Sequence, residues 1–141
     1  MEETKDRLMD IAKVRFDRFG FKKTTLDEIC SDARVSKKTL YKFFRDKEDF
    51  FVSLFNREAL KSRRIVLGGL KNIEDPLEKI RKFLQLSRGY FKKEPFMVRV
   101  LRDEDGLYAP FLKEKYQVFV EEGILNILAG FLREGIEQGK F

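Results

Sequence analysis

Two helix starts stand close together between Thr25 and Phe44, and that spacing constrains the fold more than any other feature of the chain. Thr25 followed three residues later by Glu28 is a capping box. In it the threonine hydroxyl accepts from the third backbone N–H of the helix, and the glutamate reaches back to the threonine's own N–H. This predicts a short helix over about residues 25–32 with Leu26, Ile29 and Cys30 facing inward. Ser36 is a good N-cap for another helix over about residues 36–43, whose Leu40 and Phe44 return to the core at i, i+4. Only Ala33-Arg34-Val35 lies between them, so the pair reads as a helix-turn-helix.

Helical periodicity continues on both sides. Leu8, Ile11, Ala12, Phe16 and Phe19 define one face of a first helix over about residues 3–19, which Gly20 stops. Asp46 caps a fourth helix with the stripe Phe50, Phe51, Leu54 and Phe55, expected to reach about residue 66 before Gly68-Gly69 disrupts it. Asp75 as N-cap and Pro76 at the first helical position open a fifth helix over about residues 76–93, with a face of Leu77, Ile80, Leu84 and Phe91. Pro95 starts a sixth carrying Phe96, Met97, Val100 and Leu101, and a last helix is expected from near Pro110 through Ile136. The fold class is all-α. An N-terminal helix-turn-helix unit is followed by a larger helical domain.

Composition narrows the chemistry. The 141 residues suit one domain, or a small one joined to a larger one, and 43% hydrophobic content is enough for a packed core. A single cysteine excludes an internal disulfide, and Cys30 in its buried position reads as a small hydrophobe. There is no histidine, which removes His-based acid–base and nucleophile systems and His-ligated metals. No Gly-rich phosphate loop is present. The expectation is a protein without catalytic residues, metal or cofactor. Lacking a signal-peptide pattern or a membrane-spanning stretch, it is expected to be cytoplasmic and to have no membrane partner.

Charge is uneven, with a net of +2 over residues 1–50, +7 over 51–100 and −3 over 101–141. From Arg34 to Lys47, six basic residues face only Asp46, a local net of +5 that suits a polyanion. In a helix-turn-helix the second helix enters the major groove with its N-terminal residues near base edges. Lys37 and Lys38 are then placed for guanine O6 and N7, Thr39 for a base or thymine methyl, and Lys42 for base or backbone. Ser36 and Tyr41 suit phosphates, while Thr25 and Lys47 open the flanking helices and suit a clamp on the backbone. The same residues have plainer readings: Thr25 and Ser36 as caps, the lysines as a solvated face, Tyr41 packed on Phe44, and Lys47 paired with Glu48 or Asp49.

Gly20-Phe21, Thr24 to Cys30, Val35 to Phe44 and Lys47-Glu48-Asp49-Phe50 together resemble the N-terminal signature of TetR-family transcriptional regulators, over some 47 residues. The resemblance implies an all-helical homodimer that binds a palindromic double-stranded DNA operator, usually to repress transcription. By its motif, base contacts fall on Lys37, Lys38, Thr39 and Lys42, and phosphate contacts on Thr25, Ser36, Tyr41 and Lys47. It also implies two domains, a DNA-binding one over residues 1–46 and a regulatory one over 47–141 for effector binding and dimerisation. Several positions depart from the pattern. The family's usual Ala-Gly-Val turn is Ala33-Arg34-Val35, Lys38 stands where a small residue is common, and Phe43 replaces a common tyrosine or histidine. The family's two long closing helices would begin where this sequence stops, so the regulatory domain is expected to be incomplete.

Within that domain Phe83, Phe91, Phe96, Met97, Leu101, Tyr108, Phe111, Tyr116 and Phe119 are enough to line a pocket for a small hydrophobic or aromatic effector. Glu94, Glu104 or Glu114 would be counter-charges if that effector were cationic. Ordinary core packing is the competing reading of the same aromatics. The rival to DNA binding as a whole is a helical protein-interaction module whose basic patch meets an acidic protein or membrane surface.

Overall fold

A computed structural model describes residues 2–102, 123 and 126–141, with Glu2 and Leu101 described by their backbone alone. Among the described residues every regular element is a helix, and none is long and apolar enough to cross a membrane. The elements are α1 (Glu2–Phe19), α2 (Leu26–Ala33), α3 (Lys37–Tyr41), α4 (Lys47–Leu70), α5 (Pro76–Lys93), α6 (Pro95–Arg102) and α7 (Asn126–Glu137). The chain divides into two compact units, Met1–Phe55 and Asn56–Phe141, with α4 contributing to both.

In the first unit α1 packs on α2 and α2 on α3. Leu8, Ala12 and Phe16 of α1 are buried with Ile29, Leu40, Phe44, Phe50, Phe51 and Leu54. Phe16, Phe21 and Phe51 form an aromatic triangle with ring centroids 5.1–5.9 Å apart, two of its three contacts edge-on, the arrangement that the ring quadrupoles favour. Gly20 ends α1 at φ +84°, a conformation that costs glycine nothing, and its N–H donates to the Phe16 carbonyl. Thr24 is fully buried because its hydroxyl donates to the Gly20 carbonyl at 2.8 Å, tying the loop back to the end of α1.

The second unit is built around Val66 and Leu70 of α4 and Phe83 of α5, with Ile73, Leu86, Ile127, Leu128 and Phe131 packed against them. Asp75 caps α5 by accepting from the Glu78 N–H at 3.1 Å, and Pro76 follows at the first position as expected. α7 pairs with α5 through the Lys79–Glu134 ion pair at 3.0 Å. It ends in a Schellman motif, with Gly139 at φ +70° and the Lys140 N–H donating to the Gly135 carbonyl at 2.8 Å.

Three expectations are corrected. α4 runs through Gly68-Gly69 to Leu70. Tertiary packing overrides the weak helix propensity of glycine there, and a Cβ on Gly69 would collide with the Leu86 side chain. α3 is a single five-residue stretch, shorter than expected, because Lys42 and Phe43 close it with bonds to carbonyls three residues back. The buried face of α5 is set by Phe83 and Tyr90, whereas Leu77 and Leu84, one position along, are exposed. The two larger side chains win the core, and the Tyr90 hydroxyl donates to the Glu58 carbonyl at 3.2 Å. The start expected for the last helix near Pro110 lies outside the described residues.

Candidate nucleic-acid interface

The first unit presents α3 on a base built from α1 and α2. Both predicted caps close. Thr25 accepts from the Glu28 N–H at 3.1 Å while the Glu28 carboxylate accepts from the Thr25 N–H at 3.3 Å, the reciprocal box expected. Ser36 Oγ accepts from the Thr39 N–H at 3.1 Å, and the two hydroxyls share a further bond at 3.1 Å. Leu40 is fully buried and Phe44 nearly so, which pins the opposite face of α3 outward. Lys37, Lys38, Tyr41 and Lys42 are all exposed on it, and Thr39 is half-buried.

α2 is itself locked to α1. The Arg15 guanidinium forms a fork with both carboxylate oxygens of Asp32 and also reaches Glu28. Arg15 holds the Asp32 carboxyl below the usual range, and its own pKa is raised in turn. Cys30 is buried, and desolvation pushes its thiol up, as suits an inert core residue.

Two of the expected contact residues have partners within the protein. The Lys37 ammonium pairs with the Asp27 carboxylate at 3.0 Å, and the hydrogen bond between them raises the lysine pKa. Lys47 turns inward and donates to the Phe21 carbonyl with its ammonium over the Phe21 ring, and desolvation lowers its pKa. Neither Glu48 nor Asp49 takes the place of that partner. Asp49 instead completes the start of α4, accepting from the Arg45 N–H at 2.9 Å while its own N–H donates to Asp46 at 2.7 Å.

Three participants take roles that the sequence does not assign to them: Arg15, Phe21 and Asp27. Their partners lie ten to twenty-six residues away, beyond any helical spacing. Arg34, which departs from the family's usual turn, stands at φ +57°, ψ +45°, and is the only non-glycine with positive φ among the described residues. That conformation explains why glycine suits the position.

Of the expected pocket residues, Phe83 packs in the core of the second unit with its ring centroid 6.3 Å from that of Phe131. Phe96 and Met97 are buried and Phe91 is half-buried against the Tyr90 ring. The Leu101 side chain, Tyr108, Phe111, Tyr116 and Phe119 lie outside the described residues, as do Glu104 and Glu114.

Comparison with known proteins agrees with this arrangement. The model of the family described as bacterial regulatory proteins, tetR family, matches residues 8–54. YhgD of Bacillus subtilis, an uncharacterized HTH-type transcriptional regulator, is 23% identical over 97% of this chain and 71% of its own length. The fatty acid metabolism regulator protein of the same organism is 25% identical over 95% of this chain and 69% of its own length. Among solved structures, the fatty acid degradation regulator FadR from Bacillus halodurans superposes with a TM-score of 0.80 at 25% identity, covering 97% of this chain and 70% of that one.

Proposed function

We propose that the chain is a DNA-binding transcriptional regulator of the TetR family and, within it, a ligand-responsive repressor that binds a palindromic operator as a homodimer. The observation that supports the DNA-binding role is the outward face of α3. Lys37, Lys38, Tyr41 and Lys42 stand exposed together on a helix whose other side is fixed by Leu40 and Phe44. In this reading Lys37, Lys38, Thr39 and Lys42 contact bases, and Thr25, Ser36, Tyr41 and Lys47 contact phosphates. Residues 1–46 form the reading head, and residues 47–141 carry effector binding and dimerisation.

A two-fold dimer sets its two recognition helices about 34–36 Å apart, one turn of DNA. An effector acts by binding more tightly to one head spacing than to another, since only differential affinity shifts such an equilibrium. A small hydrophobic effector is supported by the aromatic content of the second unit. Two relatives are named for fatty acid metabolism or degradation, which makes a fatty-acid derivative the first ligand to test.

Selection of bound duplexes from a random library tests the proposal. It is expected to return an inverted repeat with half-sites about one helical turn apart, released when the matching fatty-acid derivative is added. Recovery of no preferred sequence would leave the protein-interaction reading in its place. A single unrepeated half-site would overturn the dimeric operator.

A further inference from the structure

From the 3.0 Å ion pair between α2 and α3 we infer that Asp27 is a specificity-determining positioning residue, holding the Lys37 ammonium away from phosphates until a base edge offers a better acceptor. This rests on the DNA-binding reading above. Three acids lie on α2, and two are occupied structurally: Glu28 in the capping box and with Arg15, and Asp32 in the fork of Arg15. Asp27 is the third, and its described partner is the lysine that opens the recognition helix.

The pair is open to solvent, with the Asp27 side chain 72% exposed and that of Lys37 47% exposed. An ion pair in such surroundings is weak, so it is a restraint that DNA can exchange. What matters is what the exchange offers. A phosphate replaces one single-charge oxygen partner by another, and it meets the repulsion of the uncovered Asp27 carboxylate nearby. Guanine O6 and N7 supply two directed acceptors without added negative charge. Asp27 thereby penalises the sequence-independent contact more than the sequence-dependent one. Lys38 and Lys42, exposed on the same side, are not in that pair, so the restraint acts on Lys37 alone.

The test measures binding of the full chain to a random-sequence 30-base-pair duplex across a salt series, using Asp27→Asn and Asp27→Ser. Serine retains an oxygen near the helix start if asparagine perturbs it. Releasing Lys37 to phosphates is expected to steepen the log–log salt slope by about 0.9 per protomer, because one further counterion is displaced. Both substitutions are expected to leave the slope unchanged when Lys37 is already glutamine. The ratio of affinities for a library-selected duplex over the random one is expected to fall by about two- to fivefold, the most that an exposed pair can contribute. An unaltered slope in both variants, or equal steepening with and without Lys37, would overturn the role of Asp27 while leaving DNA binding intact. Failure of the unsubstituted chain to bind any duplex at low salt would overturn the DNA-binding reading itself, and this one with it.

Discussion

The Lys47 ammonium sits 4.2 Å from the centroid of the Phe21 ring and donates to the carbonyl of the same residue. The first turn of α4 is thus clasped to the loop between α1 and α2, and Lys47 does two jobs in the proposed mechanism. Replacing it by alanine removes a cation–π contact and a charged hydrogen bond, an expected loss of about 1–2 kcal/mol in urea unfolding. Affinity for specific and random duplexes is expected to drop alike. An unmoved unfolding midpoint would show that the clasp contributes nothing to stability.

Leu40 is the residue that turns α3 from a peptide into a presented surface. A five-residue helix cannot hold itself in water, since helix nucleation is costly and propagation has no length over which to recover it. Leu40 is 0% exposed and bears the burden from one side chain. Leu40→Ala is expected to cost about 2–5 kcal/mol. Operator binding should fail at temperatures where far-UV circular dichroism still reports most of the helix content. Retained binding at full affinity would contradict this dependence.

Local features of this fold were legible and tertiary ones were not. Thr25–Glu28, Ser36, Asp46, Asp75-Pro76 and Gly20 mark helix ends through bonds that span three or four residues, so neighbouring letters contain the whole interaction. Gly68-Gly69 was misleading because the cost of glycine in a helix is small beside the packing of Val66 and Leu70 on Phe83. Along α5 two apolar stripes offset by one position compete, and only the neighbours decide that Phe83 and Tyr90 face inward. In the candidate interface the exposed lysines followed from the burial of Leu40 and Phe44. That Lys37 meets Asp27 and Lys47 meets Phe21 depends on how α2 and α4 lie against the rest of the first unit, which no spacing rule encodes.

Asp32 gives the first unit an acid-sensitive joint. The Arg15 fork lowers its folded pKa below the ordinary value of 3.8, so near that pH the unfolded chain binds more protons than the folded one. The contribution is therefore fully present above the unfolded value and is lost as pH falls through the folded one. Asp32→Asn is expected to lower stability at neutral pH and to flatten the decline of the thermal midpoint below about pH 4. A variant whose decline parallels that of the unsubstituted chain would exclude this joint as a source of acid sensitivity.

Arg34 places stability and binding in opposition at one position. Its left-handed backbone, at φ +57°, crowds the Cβ against the following carbonyl, a cost that glycine does not bear. Arg34→Gly is expected to raise stability by about 0.5–1 kcal/mol, the net of relieved strain and of the greater freedom glycine brings to the unfolded chain. The same change removes an exposed cation from the turn between α2 and α3. Affinity for random duplex is expected to fall, with a salt slope shallower by about 0.9 per protomer if the guanidinium neutralises a phosphate. Arg34→Lys separates the two effects: it keeps the charge and the strain, so its slope should match that of the unsubstituted chain and its stability should show no gain. If Arg34→Gly gained stability with no change in slope, the arginine would be a strained residue without a part in DNA binding.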